Sequence, residues 1–492
     1  IAKAFESAST RLKEDPQDAN ALFVRAVSSE KLFLLKDAKS DYQNYLSIYS
    51  NSEHRPEVTR RLTSLTVHLN QNITAKPTSY EQLDRHIDDY LTALQTGNSL
   101  GASNALTGAE QIANEIAAKT GDRFGLDLVS YYRTVPLTNI NQLREARKLR
   151  ADVEAISIID YFDDAIKKAG HAKTLFNSVG ATCETLKTDV QLAKYLNKSD
   201  ALKDAQILLD ASIPQVAEKQ YLFIHAWLLY WKGELHCNTS QFNQAIESYE
   251  NCIRIAKPLD APNFLVSPLV MLSSIYYTTN DNERAFELAY QAMETSLAIG
   301  RPLPIQLVQV MGISAFNLKF QSLAQTYLDH SVKLAEAQNN NSYLVMSHIF
   351  SGITQAEQHH TAEAEIGFAK AFEALSKIAD QKARDRMEYA VTGYYARAQM
   401  IAGNVDKATE LYVRSLELAE KTNLQQKLAL SQLHQGLGEC LIAKGNIDRA
   451  KIELEMAIAF DKEAQKNFEY NNALLTFAVS NKVSQELLRS LE

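Results

Sequence analysis

Apolar residues recur along the chain with the spacing of amphipathic helices. A small residue, usually alanine, is followed four residues later by an aromatic or aliphatic residue and three residues after that by another small one, as at Ala245, Tyr249 and Cys252. Because positions i, i+4 and i+7 lie on one side of an α-helix, each triplet predicts one buried helix face. The triplets therefore predict an all-α protein.

These triplets form an internal repeat. Their first residues, which we call anchors, are spaced 39 to 44 residues apart. The anchors are Ala165, Ala205, Ala245, Ala285, Ala324, Ala364, Ala408 and Ala450. Twelve residues before each anchor lies a second small or slim residue: Val153, Ala193, Gly233, Ser273, Gly312, Gly352, Ala396 and Gly438. Since two helices approach closely only where a side chain is small, each unit predicts a helical hairpin.

Turn residues fit this interpretation. Gly403 and Gly445 each stand five residues before an anchor, where a helix C-cap with positive φ favours glycine. The whole chain of 492 residues has only 17 Gly and 10 Pro. Sandwiches, barrels and doubly wound sheets need more turns than this composition supplies.

The repeats resemble the tetratricopeptide repeat. The resemblance is carried by Trp231-Lys232-Gly233, Phe242, Ala245, Tyr249, Cys252 and Pro258. The period near 40 is similar to that of the longer variants of the family, such as the kinesin light chain type. The resemblance implies an α-solenoid of tandem antiparallel helix pairs that form a right-handed superhelix.

The pattern divides the chain into four segments. Residues 1–72 predict an N-terminal repeat pair with a truncated first repeat, and 73–150 a linker with a degenerate helical repeat. Residues 151–464 hold the tandem repeats, and 465–492 predict capping helices or a truncated repeat. In the second segment the anchors are too far apart, so we expect an extra helix or a long loop around 131–141.

The beginning of the chain predicts a module of a larger protein. It starts at Ile1, inside a stretch that already has the pattern of a helix. The N-terminal repeats also resemble the repeat region of large bacterial proteins of the TPR–CHAT type, some of which continue into a caspase-like peptidase domain.

Charge and hydropathy exclude several classes of partner. The formal net charge is −8, which gives no electrostatic reason to expect nucleic acid or anionic lipid. No apolar run approaches 18 residues, so we expect no membrane insertion. Cytoplasm is the default location, a removed signal peptide remains an alternative, and the oligomeric state is open.

Catalytic and metal-binding motifs are absent from the sequence. His359-His360, near Glu363 and Glu365, are adjacent, and a metal-binding helix would space them four apart. Cys440 and His434 are six residues apart on one predicted helix, so their side chains diverge. The four cysteines predict small buried residues. We therefore expect no catalytic residue, no cofactor and no metal.

The first helix of each repeat offers a candidate groove. Counting the family's groove positions back from each anchor selects Trp227, Tyr230, Val270, Tyr277, Gln306, Gln309, Phe316, Met346 and Arg397 as peptide-binding residues. The earlier repeats place Arg147, Arg150 and Lys187 on the same face. The basic residues with which some family members grip a chaperone's C-terminal carboxylate are missing from the central repeats. The alternative is that these central side chains are packed core.

The resemblance thus implies a non-catalytic protein–protein interaction scaffold that binds a peptide or protein segment in its concave groove. The alternative is a ligand- or peptide-sensing regulatory module of a signalling, protease or transcription-control protein.

Overall fold

The protein is helical throughout the part that the structure describes. That structure, a computed structural model, describes residues 1–49, 52–70, 77–155, 162–199, 201–239, 241–259, 261–279, 281–299, 303–422, 427–466 and 483–491. Within these ranges it contains α-helices, one short 3₁₀ helix and no β-strand. The predicted all-α fold class is confirmed.

The helices follow one another through short turns. The first seven are α1 (Ala2–Glu14), α2 (Ala19–Lys31), α3 (Leu35–Ile48), α4 (Arg55–Asn70), α5 (Ser79–Gln95), α6 (Ser99–Thr120) and α7 (Phe124–Thr134). After a 3₁₀ helix at Leu137–Asn139 come α8 (Ile140–Ala155), α9 (Phe162–Ser178), α10 (Thr182–Lys198), α11 (Leu202–Glu218), α12 (Leu222–Asn238) and α13 (Phe242–Ala256). The remaining ones are α14 (Pro262–Thr278), α15 (Asn282–Ala298), α16 (Ile305–Asn317), α17 (Gln321–Ala337), α18 (Asn341–Glu357), α19 (Thr361–Ser376), α20 (Gln381–Ile401), α21 (Val405–Lys421), α22 (Lys427–Ala443) and α23 (Ile447–Lys466). Residues 483–489 are also helical.

From α8 onward the helices form the predicted tandem pairs. We call the even-numbered members from α8 to α22 first helices and their partners from α9 to α23 second helices. Every anchor lies on a second helix and every earlier small position on a first helix. All eight anchors are buried, most of them completely. Neighbouring first helices such as α10 and α12, or α18 and α20, also pack against each other.

In four first helices the small residue is a glycine, and it makes room for one large side chain of the partner helix. A β-carbon at Gly233 would lie 2.6 Å from the ring of Tyr249. At Gly352 it would lie 3.0 Å from the ring of Phe368. Both large residues stand four positions after an anchor, and the same relation holds for Leu328. A backbone thus lies directly against a large apolar side chain, which excludes water from the contact.

In the four hairpins from α16 to α23, the turn has a left-handed residue five positions before the anchor. Gly403 and Gly445 have φ of +81° and +73°, so the C-cap prediction is confirmed. In earlier hairpins the same place is taken by Lys319 and His359, with φ of +65° and +61°. The turn geometry is therefore shared by hairpins whether or not glycine is present.

The chain divides into two compact units. One consists of residues 1–73, 273–297 and 301–492, and the other of residues 74–272 and 298–300. In the first unit, α1 packs on α17, where the carboxylate of Glu6 accepts hydrogen bonds of 3.1 and 3.2 Å from the backbone N–H groups of Ser322 and Leu323. These N–H groups belong to the first turn of α17, so Glu6 caps a helix distant in sequence.

In the second unit, α5, α6 and α7 precede the repeat pairs. A β-carbon at Gly125 of α7 would lie 3.0 Å from Cβ of Ala113 and 3.1 Å from a methyl group of Leu83, so the three helices meet at these residues. The domain boundaries drawn at 72, 150 and 464 stay predictions, and the last segment is described only at 465–466 and 483–491.

The contact between α18 and α19 provides a test of the close approach. A β-carbon at Gly367 would lie 2.8 Å from Cα of Gly352, a backbone atom that cannot turn aside. We expect Gly367→Ala to lower the free energy of unfolding by about 1–3 kcal/mol because it overpacks the contact. Urea unfolding followed by circular dichroism measures the change.

Gly170 of α9 is the matched control, because a β-carbon there would have no neighbour within 4 Å. Gly170→Ala should raise stability by about 0.5–1 kcal/mol, since alanine loses less backbone entropy in a helix. Equal effects of the two substitutions would contradict the packing described here.

Candidate functional site

The candidate residues of the second unit lie on α12 and α14. Trp227 and Tyr230 are half-buried, and their rings are perpendicular with centroids 6.0 Å apart. The Trp227 ring also contacts Phe264 at 4.2 Å. Val270 is buried. Trp227 and Tyr230 therefore pack partly against the core and stay partly accessible, whereas Val270 is buried.

The candidate residues of the first unit differ in accessibility. Tyr277, Gln306 and Met346 are half-buried, Gln309 and Phe316 are buried, and Arg397 is exposed. The side-chain amide of Gln309 donates to the carbonyl of Tyr343 and to the hydroxyl of Ser347, each at 3.1 Å.

Two more of these residues are engaged with neighbouring helices. Gln306 donates to the hydroxyl of Ser274 at 2.9 Å. The Phe316 ring lies 6.0 Å from that of Phe350, in a T-shaped arrangement. The side chains of Gln309 and Phe316 thus hold adjacent first helices together, and the peptide-binding role of the nine residues stays a prediction.

Arg397 borders a hollow on the same unit. The hollow has a volume of about 420 Å³ and is lined by Lys319, Gln321, Glu357, Arg397, Met400, Ile401, Tyr412 and Glu439. Arg397 pairs with the carboxylate of Glu357 at 2.5 Å, and its guanidinium lies 5.9 Å from the Phe316 ring centroid. The lining thus combines two cations and two carboxylates with aromatic and aliphatic side chains, which can accept a peptide segment of mixed polarity.

The histidines and the cysteine that the sequence analysis considered for catalysis or metal binding lie in a turn or contact neighbouring side chains. His359 and His360 lie in the exposed turn between α18 and α19. His434 Nδ1 is 2.7 Å from the carboxylate of Glu453, whereas Cys440 Sγ lies 3.6 Å from the sulfur of Met400. Burial raises the pKa of the Cys440 thiol to about 11. In the ranges that the structure describes, no three His, Cys, Asp or Glu residues are grouped so as to hold a metal ion.

A charge cluster, buried at Arg147, Arg150 and Glu184, joins α5 to the first helices of the second unit. Glu184 of α10, fully buried, pairs with both Arg147 and Arg150 of α8. Asp84 of α5 pairs with Lys187 of α10 and, at 3.3 Å, with Arg147. We call these five residues, together with Asp88, the charge cluster.

The sequence predicts that the cations of the charge cluster lie on the first-helix face, but it does not predict which carboxylates pair with them. Arg147 Nε donates to Asp88 at 2.6 Å, and its Nη2 donates to the backbone carbonyl of Asp84 at 3.1 Å. Asp84 and Asp88 belong to the segment with the weakest repeat pattern. Their i, i+4 spacing on one predicted helix was the available signal.

The charges of the cluster stabilise one another. Burial disfavours the ionised form of Glu184, but Arg147 and Arg150 outweigh it and lower its pKa to about 2. Burial acts on Asp84 in the same way, and there Lys187 and the two arginines hold the pKa well below its usual value. The carboxylates of Glu184 and Asp84 are therefore ionised near neutral pH.

Side chains of helix α5 contact three first helices, α8, α10 and α12. Tyr80, Asp84 and Asp88 follow one another at intervals of four and form a single stripe. The Tyr80 ring stacks on Phe223 of α12 at 4.0 Å, Asp84 contacts α10 and α8, and Asp88 contacts α8. Part of the first-helix face of this unit is thus covered by another helix of the same chain.

Sequence comparison identifies one repeat directly. The family model described as tetratricopeptide repeat matches residues 228–258, which include all of α13 and most of α12. The resemblance inferred from the residues is confirmed there, and the TPR–CHAT relationship stays a prediction. No curated protein matches the chain significantly.

Several solved structures are similar to this chain. One is a tetratricopeptide repeat protein from Parabacteroides merdae ATCC 43184, with 15% identity, coverage of 62% of this chain and 98% of that chain, and a TM-score of 0.40. A Rap protein complexed with competence and sporulation factor has 14% identity, covers 70% of this chain and 100% of its own, and has a TM-score of 0.43. The APC/C hetero-tetramer Cut9-Hcn1 has 13% identity, coverage of 96% and 76%, and a TM-score of 0.43. These values are too low to transfer a ligand or a partner.

Among the helices of the described residues, none is both long enough and apolar enough to span a bilayer.

Substitution of Glu184 tests how much the charge cluster contributes to the free energy of unfolding. Glu184→Gln leaves Arg147 and Arg150 buried without their common counter-charge, so we expect a loss of about 3–5 kcal/mol in the free energy of unfolding. The control is Glu110→Gln, which removes the 2.6 Å pair of Glu110 with Arg133 on the surface of the same unit. The control should change stability little, because solvent screens an exposed pair. A Glu184 variant as stable as the control would contradict the cluster's role.

The same carboxylate predicts a pH dependence. The folded pKa of Glu184 is depressed, so its contribution to stability is present above the unfolded pKa of about 4.3 and is lost as pH falls towards 2. The stability difference between wild type and Glu184→Gln should therefore shrink when urea unfolding is repeated at decreasing pH in this window. A difference that stays constant down to pH of about 2 would contradict the assignment.

Proposed function

We propose that this chain, a helical-repeat protein with a tetratricopeptide repeat at residues 228–258, is a non-catalytic scaffold that binds a peptide or protein segment on the face of its first helices. The observation that supports this most is the difference between two sets of aromatic side chains. Tyr249 on the second helix α13 is completely buried, whereas Trp227 and Tyr230 on the first helix α12 keep part of their rings accessible. Accessible aromatic side chains on a rigid face are typical anchors of binding surfaces.

The other accessible candidates supply different chemistry. Tyr277 and Met346 offer apolar contact, and Arg397 with the hollow beside it offers charge. Gln306 and Gln309 contribute less than the sequence predicts, because their amide groups already bond to neighbouring helices. We therefore expect a segment recognised mainly through apolar and charged side chains.

The thiol chemistry also supports a non-catalytic role. Burial raises the pKa of Cys440 to about 11 and that of Cys237 to about 12. Near neutral pH these thiols remain protonated, and a protonated thiol is a weak nucleophile.

A sensing module is the second candidate function. It is favoured by helix α5, which lies on the first-helix face at Phe223 and Lys187 and so competes with any ligand of that region. A ligand that replaced α5 would change the arrangement of the chain as it bound.

The experiment is a selection of peptides from a random phage-displayed library on the immobilised chain. Selected peptides should bind wild type with micromolar affinity and lose at least about ten-fold in Trp227→Ala/Tyr230→Ala, because truncated anchors typically cost more than about 1–2 kcal/mol each. Isothermal titration calorimetry gives the affinities, and circular dichroism verifies that the variant is folded.

The control is Ile207→Ala, which removes an exposed apolar side chain from the second helix α11 of the same unit. It should leave the affinity unchanged. Peptides that bind the double variant as tightly as wild type, or that depend on Ile207, would refute the first-helix face as the binding surface.

A further inference from the structure

Helix α5 contacts the first helices through one stripe of side chains. Its members are an aromatic ring and two carboxylates: Tyr80 stacks on Phe223, Asp84 reaches Lys187 and Arg147, and Asp88 reaches Arg147. The three residues are four positions apart, so they lie one above the other on a single face.

The charges of the two sides complement each other. On the first helices, Arg147, Arg150 and Lys187 carry three positive charges and Glu184 one negative charge, which leaves a formal charge of +2. Asp84 and Asp88 of α5 supply −2. Without α5, the first-helix face would hold two excess positive charges in a region of low dielectric, where an acidic ligand is favoured.

The opposite side of α5 packs against α6 and α7, and we call these three helices the α5–α7 bundle. Leu83, Ile87 and Leu91 are buried, and Leu83 meets Ala113 of α6 and Gly125 of α7. The apolar stripe of α5 is therefore used by α6 and α7, while its aromatic and acidic stripe is used by the repeats.

The N-terminus of helix α5 is capped by side chains of its own first turn. Thr78 accepts a hydrogen bond from the backbone of Glu81, and the Glu81 carboxylate accepts one from the backbone of Thr78, which forms a capping box. Such a start makes a short helix less dependent on its surroundings. Residues 77–97 carry four carboxylates and one arginine, so the segment as a whole is acidic.

We infer that the first helices α8, α10 and α12 form a recognition site for an acidic amphipathic helix, with an aromatic residue followed by carboxylates four and eight positions later, and that α5 occupies this site in cis. The inference rests on the proposed function, since it names the chemistry of a ligand for the first-helix face. A partner helix of this pattern binds by replacing α5, so the α5–α7 bundle sets the affinity threshold for that partner.

Competition within one chain has a measurable consequence. A tethered occupant acts at a high effective concentration, so the site is open in only a fraction of the chains. The apparent Kd of a free ligand equals its intrinsic Kd divided by that fraction. Weakening the contacts of α5 raises that fraction. It should therefore tighten binding of a free acidic helix without any change in the cations that recognise it.

The probe is a synthetic, isotope-labelled peptide of residues 77–97, and the control peptide is the same with Asp84→Asn and Asp88→Asn. We expect the acidic peptide to bind the full chain carrying Asp84→Asn/Asp88→Asn at least about ten-fold more tightly than it binds wild type. The amide peptide should bind that variant at least about ten-fold more weakly than the acidic one, and added salt should weaken the acidic peptide. Equal binding of the two peptides, or no gain over wild type, would overturn the inference.

Two controls keep the result interpretable. Asp89→Asn makes the same charge change at an exposed position of α5 and should leave the affinity at the wild-type value. If the double variant does not fold, hydrogen exchange in wild type decides. Excess acidic peptide should speed exchange of the chain's own amides in 79–95, and unchanged exchange at saturating peptide would overturn the inference.

The outcome is also separable from the proposed function. If library-selected peptides bind through Trp227 and Tyr230 while the α5 peptide does not bind, the acidic-helix inference fails and the scaffold stands. If neither class of peptide binds, both fail.

Discussion

The close approach of paired helices is the constraint on which the rest of the structure depends. In four hairpins a glycine of the first helix lies against a large side chain placed four residues after the anchor of the second, as Gly233 does against Tyr249. This contact fixes the rotation of each first helix about its axis. It therefore influences which residues contact the partner helix, among them Tyr230, whose ring centroid lies 5.7 Å from that of Tyr249.

Much of the repeat could be predicted from the sequence because its determinants are local. Each anchor, each earlier small residue and each turn lies within about twenty positions of the others, and buried alanines such as Ala245 and Ala285 mark the helix faces without ambiguity. Two features escaped prediction although they are local. The residue opposite the glycine of four first helices is the large one four positions after the anchor, and Lys319 and His359 adopt the left-handed turn without being glycine.

The candidate site was less predictable because it depends on contacts between distant segments. Periodicity places Arg147 and Lys187 on the first-helix face, but it carries no information on the helix that covers them, since Asp84 lies 63 and 103 residues away along the chain. The same limit applies to Gln309 and Phe316, whose burial depends on the neighbouring hairpin. Counting positions along a helix thus predicts the side on which a side chain lies, whereas the exposed fraction of that side chain follows only from the assembled fold.

The central claim is that α5 lies on the proposed binding face of the first helices, and zero-length cross-linking with a carbodiimide tests it most directly. The reagent joins an amine to a carboxylate only when the two are in contact, and the pair of Lys444 and Asp406, 2.6 Å apart, is a positive control between helices. The structure predicts an amide bond between Lys187 and Asp84, detected by mass spectrometry of the digested chain. Efficient coupling of Lys444 to Asp406 with no product between Lys187 and Asp84 would contradict the account.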